Sequence, residues 1–182
     1  MAKVDYTIEE HKHRFAAWAA SRAASTSSNC RFSVSKGKEL LEHINLQSLL
    51  CDPDKLPSPK EFDLKHQEWR RSLVEKAIKT DLIGFTHGIA AKLINIYLKS
   101  AFICVYDQNL PIIKAIHPPI DRLLLNELAR NNIGNFGTRW ACFRNIGWSN
   151  FTSNDYEEVI HYIKQVTNDS LWTIEKYWPG NQ

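Results

Sequence analysis

Cysteine is sparse and scattered in this chain: Cys30, Cys51, Cys104 and Cys142 stand far apart among 182 residues. That spacing excludes the close CxxC pairing of a zinc or iron–sulfur site and the density of a disulfide scaffold, so the thiols are read as reduced. Histidine does not supply the missing ligands, because His11 and His13 fall on different faces of a helix with no cysteine or carboxylate at metal spacing beside them. Neither a metal nor another cofactor is expected. No apolar run approaches the roughly 20 residues of a membrane span, and Met1-Ala2-Lys3-Val4-Asp5 has no apolar signal core. The expected location is the cytoplasm. Alternating strand-like segments are also scarce: Phe102-Ile103-Cys104-Val105-Tyr106 is the one rival, and it reads more easily as the end of a helix.

What is present is an ordinary globular composition, with 43% hydrophobic residues, 24% charged residues and a mean hydropathy of -0.37, which excludes a disordered chain. A length of 182 residues suits one compact domain over 1–182. The net charge of +3 is too small to imply a nucleic-acid partner by itself. Its distribution says more: Lys12, Arg14, Arg22, Arg31, Lys36 and Lys38 occur without a single Asp or Glu between residues 11 and 38, whereas acidic residues gather after residue 155.

The pattern predicts an all-α fold of seven or eight helices, without internal repeats. Thr7-Ile8-Glu9-Glu10 is a capping box that opens a helix reaching about residue 25, and Ser25-Thr26-Ser27-Ser28-Asn29 breaks it. Further helices are predicted over about 35–50, from Ser58-Pro59 to near 80, and from 89 to about 104, the last apolar nearly all round and therefore central. Beyond them come a helix over 120–131, an irregular Gly-containing segment with Trp140 and Trp148, a helix over 153–166 and a short one over 170–178.

Three features carry possible chemistry. Gly88 opens the apolar helix, and a glycine turn before a helix N-terminus presents unpaired N–H groups that suit a phosphate. Lys92 is placed in the first turn of that helix, where burial and the helix dipole both favour a neutral amine, which is the form a lysine nucleophile needs. Asp121, after His117-Pro118-Pro119-Ile120, is placed at a helix N-terminus, where free N–H groups hold a carboxylate ionised and able to stabilise a cationic sugar. Each also has a structural reading: a turn glycine, a lysine whose stem lies along the surface, and a helix cap.

The order Gly88-Ile89-Ala90-Ala91-Lys92, a helix, then Pro119-Ile120-Asp121 resembles the helix-hairpin-helix DNA glycosylase superfamily, in its 8-oxoguanine DNA glycosylase-like branch. The resemblance covers roughly residues 60 to 130, with the hairpin motif about 62–104 and the aspartate helix about 118–131. Ala90 stands where the family has a second glycine, the connection from Lys92 to Asp121 is longer than in many members, and the iron–sulfur branches are excluded.

The resemblance implies a compact helical domain with a cleft between two helical lobes, Lys92 as nucleophile and Asp121 as catalytic carboxylate. It implies phosphate contacts through Phe85, Thr86, His87, Gly88 and Ala90. The partner is double-stranded DNA carrying a modified base, which is flipped out and excised by a monomer near the bacterial nucleoid. For the base pocket the reading selects Trp140, flanked by Arg139 and Arg144, then His117, then Trp18. The excised base is either an oxidised purine, as in DNA repair, or a bulky modified base of phage DNA, as in antiviral defence. Two rival classes remain: a non-catalytic helix-hairpin-helix module that only grips DNA, and an all-α protein-interaction domain.

Overall fold

A computed structural model describes residues 6–25 and 30–180. Among these residues every regular element is helical. The α-helices are α1 (Ile8–Ala24), α2 (Val34–His43), α3 (Phe62–Lys79), α4 (His87–Leu98), α5 (Pro111–Lys114), α6 (Arg122–Arg130), α7 (Gly137–Ile146) and α8 (Ser153–Val166). None is long and apolar enough to cross a membrane.

Local chemistry accounts for most of the boundaries. Thr7 caps α1 by accepting the Glu10 N–H at 3.2 Å, and Thr152 with Asp155 forms a reciprocal capping box on α8. The expected break at residues 26–29 lies outside the described residues, as do the first five residues. α2 is shorter than its sequence pattern predicts. It stops at His43 because Asn45 takes a left-handed conformation (φ 57°), and Leu46–Leu49 then form only a tight 3-10 turn.

One segment predicted as irregular is a helix. Asn132, with positive φ, turns the chain away at the end of α6, and its side chain accepts the Gly137 N–H at 2.8 Å and starts α7. That cap comes from five residues upstream, so it leaves no mark of the usual spacing.

α4 organises the fold. Ala16, Ala17, Ala20 and Ala24 give α1 a buried small-residue stripe, and α1 packs against α4 more extensively than any other pair of elements. α4 also belongs to both apolar clusters of the described residues. Ile89, Ala90, Leu93, Ile94, Tyr97 and Leu98 lie in the one built with α1, α2 and α3, while Ala91 lies in the one built by α6, α7, α8 and the 3-10 segment Leu171–Tyr177. Trp148, half-buried, packs against both.

Candidate functional site

Lys92 lies in the second turn of α4, not the first, because the helix begins at His87, two residues before the predicted start. Thr86 caps it, accepting the Ile89 N–H at 3.2 Å. The dipole of the first turn therefore does little to Lys92; burial is what pushes its amine below the ordinary lysine range, while the Asp121 charge pulls the other way.

Asp121 is the N-cap of α6. Its Oδ1 accepts the Leu124 N–H at 2.9 Å and its Oδ2 stands 3.9 Å from Lys92 Nζ. One oxygen fixes the carboxylate to the helix and the other faces the amine. The ring of Trp148 lies over the same amine, with Nζ 4.2 Å from the ring centroid. The lysine, the carboxylate and the indole thus come from three separate segments and meet at one point.

Gly88 explains how Trp148 gets there. It is an ordinary helical residue, and a β-carbon on it would meet the Trp148 carbonyl oxygen at 1.8 Å and Phe151 Cβ at 3.1 Å. Glycine admits the 148–151 backbone, and the Gly88 N–H donates to the Phe151 carbonyl at 3.2 Å. This corrects the phosphate-grip reading. The Gly88 amide is spent inside the protein, the Ala90 amide donates to Thr86 O at 2.9 Å, and Phe85 is buried against Phe32. Ala90 is wholly buried in a regular turn of helix, so the second glycine of the motif has no conformational task here. Thr86 and His87 are half-buried and line an open groove of about 480 Å³ with Asn150, Phe151, Thr152, Ser153 and Asn154, the Thr86 hydroxyl itself donating to Ser149 O at 2.8 Å.

The base-pocket residues are dispersed. Trp140 is fully buried among Phe136, Phe143 and Tyr162, with its Nε1–H donating to Ile133 O at 2.8 Å, so it is a core residue and no base can stack on it. His117 is buried too, bonded through Nδ1 to Tyr156 Oη at 3.1 Å and through Nε2 to Asp63 at 3.0 Å. Both ring nitrogens are occupied, which leaves neither for a base. Trp18 is 51% exposed on α1 beside Phe15, a surface pair with ring centroids 6.0 Å apart.

Sequence reasoning missed two participants and misjudged a third. Trp148, not Trp140, is the indole that lies over the Lys92 amine; its signal was the glycine at 147, whose positive φ turns the chain back toward α4. Lys99, two turns beyond Lys92 and just past the end of α4, pairs with Glu175 from the C-terminal 3-10 segment, and the Lys99 amine lies 5.6 Å from the Trp178 ring centroid. Burial raises the Glu175 carboxyl above its ordinary range, partly offset by Lys99, and the Asp121 charge raises it further. Asp121 and Glu175 therefore share one electrostatic neighbourhood. No local motif announces Lys99 or Glu175, since their pairing depends on where the chain returns 76 residues later.

Compared with known proteins, the chain matches no family model, no curated protein and no solved structure.

Proposed function

We propose that the protein is a DNA glycosylase that flips a modified base out of double-stranded DNA and excises it with Lys92 as nucleophile. The carrying observation is the pairing of buried Lys92 with half-buried Asp121, 3.9 Å apart. An amine made less basic by burial and a carboxylate anchored by a helix cap are the two groups this reaction requires. In this reading α3, the turn at 80–86 and α4 form the hairpin motif, and the cleft opens where Trp148 now covers the amine. The groove lined by His87, Ser153 and Asn154 takes the phosphate contact that the spent amides of Gly88 and Ala90 do not.

The chemistry follows from the two groups. Neutral Lys92 attacks the anomeric carbon of the deoxyribose, and the N-glycosidic bond breaks with its electron pair leaving on the base, which takes up a proton. Asp121 stabilises the cationic sugar as this happens. Loss of the amine proton and opening of the sugar give a Schiff base, from which removal of a C2′ proton expels the 3′ phosphate by β-elimination. The substrate is an oxidised purine such as 8-oxoguanine or a bulky modified base of phage DNA.

A panel of duplexes, each carrying one modified base, tests the reading. Base release from at least one duplex, abolished in Lys92→Ala, supports it. Salt-dependent binding without release from any duplex overturns it in favour of a module that only grips DNA. A second reading, a protein-interaction domain, draws on the exposed Phe15–Trp18 pair of α1; binding of neither intact nor modified duplex favours that one.

A further inference from the structure

One polar chain runs through the interior beside the site. Arg70 Nε donates to His66 Nδ1 at 3.2 Å, which leaves the His66 proton on Nε2, facing Asn95 Oδ1 at 2.8 Å. The Asn95 amide donates from Nδ2 to Pro118 O and to Tyr156 Oη, both at 2.8 Å. Tyr156 then gives its hydrogen to His117 Nδ1, and His117 Nε2–H donates to Asp63. Because the Pro118 carbonyl only accepts, the Asn95 amide has one possible orientation, and every donor in the chain points the same way from Arg70 to Asp63. Arg70, His66, Asn95, Tyr156 and His117 are all buried.

Burying so many polar groups gains little stability over a well-packed apolar core. What it gives is a single register. Asn95 lies one turn beyond Lys92 on α4, and Pro118 lies three residues before Asp121. We propose that Asn95 is a positioning residue, whose amide locks the Lys92 helix to the segment that delivers Asp121 while His66 and Tyr156 hold the amide in orientation. Its catalytic consequence rests on the glycosylase reading, but the positional claim does not.

The experiment compares Asn95→Ala and Asn95→Ser with Tyr156→Phe, which keeps the Asn95–Pro118 bond. Two quantities are read: the titration midpoint of the Lys92 amine by NMR of reductively ¹³C-methylated protein, and the single-turnover rate of base release alongside duplex affinity. In Asn95→Ala the Asp121 carboxylate moves from the amine, so the Lys92 midpoint falls and base release slows about 10- to 100-fold with duplex affinity nearly unchanged. Asn95→Ser, with one short donor restored and less disturbance to the fold, recovers part of both, and Tyr156→Phe keeps the wild-type midpoint. An unmoved Lys92 midpoint in folded Asn95 variants overturns the proposal, even if their stability drops. A shifted midpoint in a protein that releases no base sustains the positioning role and sinks the glycosylase reading instead.

Discussion

The α-carbon of Gly88 lies so close to the Trp148 carbonyl oxygen that a β-carbon there would be 1.8 Å from it. The obstacle is backbone, so no rotamer change relieves it. Replacement by alanine must push the 148–151 segment away from α4 and carry the Trp148 ring off the Lys92 amine. Gly88→Ala is therefore expected to lose about 1–3 kcal/mol in a urea titration and to weaken any reaction that depends on Lys92. Unchanged stability would mean that the two backbones are not in contact in solution.

The two oxygens of Asp121 have separable roles. Asp121→Asn keeps a good N-cap but removes the charge that holds up the Lys92 amine, whereas Asp121→Ala removes both. The asparagine variant should keep nearly wild-type stability, and the alanine variant should lose a further ~1 kcal/mol. In both, the Lys92 amine titrates at lower pH than in the wild type, because the carboxylate raises its pKa. The reactive neutral form then appears earlier as pH rises, while the maximal rate of base release falls. A pH-rate profile that shifts toward alkaline pH in Asp121→Asn would contradict this arrangement.

Trp140 and Trp148 should respond differently to substitution. Trp140→Ala empties a fully buried site and removes one of the two hydrogen bonds to the Ile133 carbonyl, at an expected cost of roughly 3–5 kcal/mol. Trp148→Ala uncovers the Lys92 amine and removes a half-buried ring, so its effect should fall more on chemistry than on folding. Denaturation midpoints of the two variants decide: an equal or larger loss for Trp148→Ala would make that ring a core residue as well.

Stability should fall in mildly acidic solution. Burial holds His66 well below its ordinary value of 6.5 and His117 below it as well, so near pH 6 the unfolded chain takes up protons that the folded chain refuses. Their full contribution is present above about pH 6.5, and each costs up to ~1.4 kcal/mol per pH unit below it until its folded pKa is reached. The Asp63 carboxyl, held low by His117 and Lys164, adds to this only below about pH 4. Thermal midpoints measured from pH 7.5 to 5 should drop steadily, and a flat profile would place both rings in contact with water.

The helical class and most helix limits were legible because they rest on local signals such as Thr7 and Thr152 as caps and Pro119 before an N-cap aspartate, whereas the meeting of Lys92 with Asp121 across 29 residues was suggested only by the motif order that resembles the glycosylase family. α7 was not legible, since its cap reaches from Asn132 rather than from the adjacent residue. The arginine neighbours of Trp140 mark it for a pocket, yet an indole in a small helical domain is most readily used as core, and the half-buried Trp148 faces the amine instead. The polar chain through Asn95 and the Lys99–Glu175 pair depend on contacts across 23 to 76 residues, which no window of sequence contains.

The central claim is that Lys92 acts as an amine nucleophile on a deoxyribose. Its most direct test is borohydride reduction of the protein with duplexes bearing different modified bases, followed by peptide mapping of any protein–DNA adduct. One adduct is expected, carried on Lys92 and lost in Lys92→Ala. Failure to trap any adduct, with abasic-site formation unchanged in Lys92→Ala, would contradict it.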